Sequence, residues 1–167
     1  KRRVARLMSL PRLPRRCVLA LGLLATACGG PSPTTVSVKV IATPQVNPNS
    51  DNQPSPTVVR FYYLKSADTF NGATFFDIYD NDAKVLGADM LGRKEIEVIP
   101  GAVTTVDISA PPETPILGVI AGYRDLQNAT WRGTWPLSAG DSNTVVLTLE
   151  ARALTLAKPK SRFLGIF

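Results

Sequence analysis

Val36, Val38 and Val40 alternate with Ser37 and Lys39, and proline or glycine clusters cut every such run short. This punctuated alternation restricts the fold more than any other feature of the chain. A side-chain period of two suits strands with one buried and one wet face. Thr57–Lys65 follows, β-branched and aromatic on both faces, as a central strand of a sandwich requires. Ile96 and Val98 then alternate with Glu95 and Glu97, Pro100-Gly101 makes a turn, and Val106 and Ile108 alternate with Thr105, Asp107 and Ser109. Beyond Pro111-Pro112 lie three more runs, residues 116–124, 130–137 and 145–149. Seven short strands at intervals of roughly 8–12 residues predict a mainly β fold, a two-sheet antiparallel β-sandwich.

One stretch breaks the pattern. In Ala67–Leu91 the spacing of Phe70, Phe75, Phe76 and Tyr79 is nearer helical than alternating. It reads as a short helical insertion broken at Asn71-Gly72 and again at Asp80-Asn-Asp82, with Ser66 available as a cap. The four aromatics are expected to plug one side of the core.

The sandwich must hold without cross-links. The two cysteines are Cys17 and Cys28, and Cys28 ends an apolar run after a segment with seven basic residues (Lys1, Arg2, Arg3, Arg6, Arg12, Arg15, Arg16). A basic region, a short apolar region and small residues before a cleavage point make a secretory signal. The run from Cys17 to Ala27 is shorter than the roughly 20 residues of a membrane span. Ala25, Thr26 and Ala27 before Cys28 resemble the lipobox of bacterial lipoproteins. That resemblance implies a diacylglyceryl group on the Cys28 thiol, cleavage before it, and acylation (palmitate) of the new amine. The organisation expected is a signal peptide over 1–27, the lipidated cysteine and a tether over 28–35, a β-sandwich domain over 36–157, and a flexible tail over 158–167. No cofactor is expected besides the covalent lipid on Cys28.

Charge follows the same division. The formal net charge is +6, but the seven basic residues before Cys28 face no acid there, so the remainder carries twelve basic against thirteen acidic residues. Without Lys158, Lys160 and Arg162 the body stands at −4, and nucleic acid is rejected as a partner. Histidine is absent, which removes Ser-His-Asp and Cys-His triads and histidine-bearing zinc sites. Asp77, Asp80, Asp82 and Asp89 lack the spacing of a calcium loop and read as caps and solvated turns. Glu95 and Glu97 share the polar outer face of a strand, and Trp131 and Trp135, four apart on a strand, read as same-face core residues. The protein is read as no enzyme.

Between the first two strands runs Pro44–Pro56, thirteen residues with four prolines and three asparagines. It cannot make ladder hydrogen bonds throughout, and its prolines make it semi-rigid. Val46, Asn47, Pro48, Asn49, Ser50, Asp51, Asn52, Gln53 and Pro54 form its candidate contact surface. The amides and carboxylate would hydrogen-bond a partner's backbone, and Val46 and the prolines would supply apolar contact.

Several segments together resemble a known family: Pro54-Ser-Pro-Thr-Val-Val-Arg-Phe-Tyr-Tyr-Leu-Lys-Ser66, Phe75-Phe-Asp-Ile-Tyr-Asp-Asn-Asp82, Leu86-Gly-Ala-Asp-Met-Leu91, Ile99-Pro-Gly101, and Leu117-Gly-Val-Ile-Ala-Gly-Tyr-Arg-Asp125 with Trp131-Arg132. In this order they resemble the outer-membrane lipoprotein of type VI secretion systems, the TssJ (SciN/VasD) family, from about Val36 to Leu156. The resemblance implies a transthyretin-like β-sandwich and a non-catalytic docking role. The expected location is the outer membrane, lipid-anchored, with the domain facing the periplasm. The partner implied is the periplasmic domain of the inner-membrane TssM subunit, met by the loop Pro44–Pro56. Gly29, where aspartate would favour inner-membrane retention, agrees with outer-membrane sorting. The alternative is another lipid-anchored periplasmic binding module, a pilot protein or a ligand-binding β-sandwich.

Overall fold

A computed structural model describes residues 30–160. The expected signal peptide over 1–27, Cys28, Gly29 and residues 161–167 lie outside the described residues. Eight strands form two four-stranded sheets. In chain order they are β1 Thr34–Ala42, β2 Thr57–Leu64, β3 Met90–Val98, β4 Val103–Ala110, β5 Ile116–Ala121, β6 Arg132–Pro136, β7 Ser142–Leu149 and β8 Leu154–Ala157. One sheet runs β4-β1-β7-β8 and the other β3-β2-β5-β6. Every neighbouring pair is antiparallel except β1 and β7, which run parallel from Thr35↔Ser142 to Ala42↔Leu149.

The first sheet has one wet face, so its strands alternate cleanly. Val36, Val38, Val40 and Ala42 point inward with Val106, Ile108, Val145, Leu147 and Leu149, while Ser37, Lys39 and Asp107 point out. The second sheet is covered on both faces. Val59, Phe61, Leu117 and Val119 meet the first sheet, whereas Tyr62, Leu64 and Ile120 meet the helices. That double burial is why β2 shows an apolar run with little alternation. β8 was not expected. Its four residues offer too few alternations to register, yet it extends the first sheet beside β7.

The helical insertion forms as predicted: α1 Asp68–Gly72, α2 Phe75–Leu86 and a single 3-10 turn, Gly87–Asp89. The Ser66 hydroxyl accepts from the Asp68 N–H at 3.1 Å, and Thr74 and Asp77 make a reciprocal capping box at the start of α2. Inside α2 the backbone leaves helical angles at Asn81, within the expected break. Phe70, Phe75 and Ile78 are buried against sheet two; Phe76, by contrast, is 63% exposed and so stands outside the plug. Gly118 makes this packing possible. A Cβ there would meet Leu64 Cδ1 at 2.8 Å and Phe70 Cζ at 3.0 Å.

Of the four acids singled out in the sequence, Asp77, Asp82 and Asp89 are engaged locally and Asp80 is exposed. Asp77 is in the capping box, Asp89 accepts from the Thr69 hydroxyl, and buried Asp82 pairs with Arg93 and accepts from the Tyr62 hydroxyl. Glu95 pairs with Arg60, whose guanidinium also lies over the Tyr79 ring. Burial works against the Arg60 charge, but its interactions with Glu95 and Tyr62 together outweigh that cost and hold the guanidinium above its ordinary range. The tryptophans divide. Trp135 on β6 is half-buried and packs against the core between the sheets, while Trp131 precedes the strand and sits edge-on to Phe75 at 5.2 Å, packing against both clusters.

Candidate partner-binding surface

Strand direction puts the connections at two opposite ends of the sandwich. At one end lie the start of β1, the loops 111–115 and 137–141, and the end of β8. Thr34 ties that end together: its hydroxyl donates to Pro112 O at 3.0 Å and accepts from Gly140 N at 2.7 Å. At the other end lie 43–56, 99–102, 122–131 and 150–153. The nine residues of β1 separate the two ends by about 26 Å at 3.3 Å per residue.

The loop between β1 and β2 is anchored from within. Val46 is fully buried in the core between the sheets and Asn47 is also buried. The Asn47 amide donates to Pro56 O at 3.0 Å, and its oxygen accepts from the Arg124 N–H at 2.8 Å. Asn47 has φ 50°, a left-handed conformation that asparagine tolerates better than most residues. Asn49 then closes the tip, its side-chain oxygen accepting from the N–H groups of Asp51 and Gln53. Asn52, φ 60°, donates its N–H to Asn49 O.

This arrangement revises the predicted contact set. Val46 and Asn47 face inward and serve as the loop's anchors, not as contact groups. Pro48 and Asn49 are half-buried, and Ser50, Asp51, Asn52, Gln53 and Pro54 are exposed. Four hydrophilic side chains and a proline thus stand on a frame already fixed by hydrogen bonds. A partner meeting such a frame has little loop entropy left to remove.

The neighbouring connections brace the loop. Gly101 N donates to Thr43 O at 3.2 Å and Ala42 N to Ala102 O at 2.9 Å. Asp125 accepts from the Asn128 amide and from Arg152, both at 2.9 Å, which locks 122–131 to the turn 150–153. Asn128 and then Arg152 hold the Asp125 carboxyl below its ordinary range. The Tyr123 hydroxyl donates to Ala153 O at 2.6 Å, and burial raises its pKa. Pro48, Asn49 and Ser50 line an open depression of about 470 Å³ with Arg124, Asp125 and Arg152.

Two apolar side chains at this end were missed by the sequence reading. Ile99 and Val103, each 61% exposed, flank the turn at Gly101, φ 74°. Their signal was phase: Ile99 lies one residue past the inward Val98 and Val103 three before the inward Val106, odd steps that take both out of the inward register. The whole end presents a polar tip, an apolar knob and a charged depression.

Comparison with known proteins bears on the family and the fold. Residues 34–152 match the model of the type VI secretion lipoprotein family, described as VasD, EvfM, TssJ, VC_A0113. The T6SS lipoprotein TssJ1 from Pseudomonas aeruginosa is similar at 31% identity and TM-score 0.73, over 77% of this chain and 98% of that one. Serratia marcescens Lip, a membrane-bound component of the type VI secretion system, is similar at 26% identity and TM-score 0.70, over 76% and 98%. A chain in a structure described as the T6SS protein TssM C-terminal domain (869–1107) from EAEC shares the fold at 22% identity and TM-score 0.63, over 75% and 98%. No curated protein matches the sequence. A sandwich with this helical insertion, matched along 34–152, belongs to the type VI secretion lipoprotein family.

Proposed function

We propose that the chain is an outer-membrane-anchored docking lipoprotein whose loop-bearing end binds the periplasmic domain of the inner-membrane TssM subunit. The observation that carries this reading is the opposition of the two ends. Cys28 would be the lipidated residue, and the chain from it enters the sandwich at Thr34. The exposed tip Ser50–Pro54 stands at the far end of β1. The five residues 29–33 ahead of β1 reach at most about 17 Å, so the domain stays near its membrane while its tip points toward the opposite one. Each acyl CH₂ buried in that membrane contributes about 0.8 kcal/mol. Among the described residues no helix is long and apolar enough to span a membrane, which leaves the lipid as the anchor in this reading.

A ligand-binding sandwich would need room between its sheets. That space is filled by Val38, Phe61, Leu117 and Leu147, all fully buried. Recognition is accordingly assigned to the end surface, where Ile99 and Val103 supply apolar area beside the polar tip.

The test must leave the anchors of the loop in place, since deleting Val46 would open the core. Asp51→Lys with Gln53→Lys alters the exposed tip alone. In a direct titration against the partner's periplasmic domain the double variant is expected to weaken binding by about tenfold or more, the 1.4 kcal/mol scale of a lost central contact. Unchanged affinity in a folded variant would overturn the loop assignment. Cys28→Ser with membrane fractionation tests the anchor separately, and a variant still in the outer membrane would remove it.

A further inference from the structure

We infer that Arg124 is a recognition point for a carboxylate, and that the depression it lines takes an acidic side chain of the partner; this rests on reading the loop-bearing end as the docking face. Five arginines lie among the described residues, and the fold employs four of them. Arg60 pairs with Glu95, Arg93 with Asp82 and Arg152 with Asp125, while Arg132 donates to the carbonyls of Phe70 and Ala73 at 2.9 and 2.8 Å. The exposed Arg124 guanidinium alone makes no hydrogen bond or ion pair with any described residue.

Its backbone, by contrast, is held firmly. The Arg124 N–H donates to the buried Asn47 side chain at 2.8 Å, and the preceding Tyr123 is buried with its hydroxyl on Ala153 O. The side chain therefore leaves a fixed point, tied to the same asparagine that orients the loop between β1 and β2. A guanidinium presents five N–H donors in a planar fork that fits a carboxylate two-pronged. Such a fork loses less freedom per hydrogen bond than a lysine does, and arginine is enriched among the residues that dominate protein interfaces.

The surroundings select for negative charge. Arg124, Asp125 and Arg152 line the depression of about 470 Å³ with Pro48, Asn49 and Ser50. Asp125 is the one carboxylate among these residues, and Arg152 and the Asn128 amide already engage it. Arg124 is thus left without a counter-ion, and two arginines against one aspartate make the depression positive on a body whose net charge is −4. An acidic side chain entering there would touch the loop and the 122–131 connection at once.

The experiment immobilises the full chain purified from membranes and follows association and dissociation of the partner's periplasmic domain separately. Arg124→Lys keeps the charge but not the fork, so it should associate at the wild-type rate and dissociate about tenfold faster. Arg124→Glu should weaken binding about a hundredfold. Both should melt with the wild type, because the guanidinium they replace supports nothing in the fold. In the Arg124→Glu background, changing the partner's exposed acids to arginine one at a time should restore binding at one position. Such restoration marks a direct carboxylate contact, which a general loss of charge would not produce. Wild-type affinity in both variants, wild-type dissociation in Arg124→Lys, or no restoration at any partner acid would overturn the inference. So would sedimentation showing that Arg124 holds two copies of this chain together. A wild-type chain that fails to bind would overturn the docking reading and this inference with it. Loss with Arg124→Glu but not with Asp51→Lys and Gln53→Lys would sink the loop tip and leave Arg124 standing.

Discussion

Asn47 is the residue on which the position of the loop turns, and replacing it separates backbone from side-chain effects. Asn47→Ala removes the amide that donates to Pro56 O and the oxygen that accepts from Arg124 N. At about 1 kcal/mol for each hydrogen bond, their loss costs about 2 kcal/mol. A Cβ without asparagine's local bonding in the left-handed region adds about 1 kcal/mol, since φ is 50°. The expected total of about 3 kcal/mol corresponds to a fall in Tm of about 10 °C for a domain of this size. Asn47→Gly loses the same bonds but keeps the backbone at ease, and should cost nearer 2 kcal/mol. Urea unfolding followed by Trp131 and Trp135 fluorescence gives the global values. Native-state hydrogen exchange at the N–H groups of Asn49 and Gln53, both bonded within the tip, gives the local one. Costs below about 1 kcal/mol for both variants, with undisturbed exchange at the tip, would refute the role given to Asn47.

Two further perturbations probe other parts of the fold. Gly118→Ala drives a methyl into Leu64 and Phe70 and should destabilise by about 1–3 kcal/mol, with loosened exchange across α1 in hydrogen-exchange data; an unchanged melting curve would contradict the packing described. Asp125 has a depressed pKa in the folded state, so its contribution is fully present above the ordinary carboxylate range and is lost as pH falls through the depressed value. An NMR titration should show the 122–131 and 150–153 connections loosening together in acid, and Asp125→Asn should remove that step.

What the sequence revealed depended on how many residues repeated a signal. β1 alternates over nine residues and β4 over its last six, and the helix break at Asn81 sits in a cluster of poor helix formers, so all three were readable. β8 has four residues, too few for a period to show. The parallel pairing of β1 with β7 was silent because alternation fixes which face a residue takes but not which way a neighbour runs. Within Pro44–Pro56 no period exists, so the inward turn of Val46 and Asn47 had no signature there. Their burial is a tertiary fact, set by the core beneath and by the Arg124 N–H seventy-seven residues away. The out-of-phase Ile99 and Val103 did leave a trace, legible once the strand ends are fixed.

The position of β1 has a mechanical meaning. In the proposed assembly one end of this strand leads to the lipid and the other runs straight into the docking loop. Tension between two membranes would pass along nine covalently joined residues, not through the body of the sandwich. A β-strand is already close to the full reach of its backbone, so it has almost no slack to give. The two neighbours β4 and β7 grip it along nearly its whole length. Pulling would tauten a cord that the rest of the domain merely surrounds, and the fold would not have to open to bear the load.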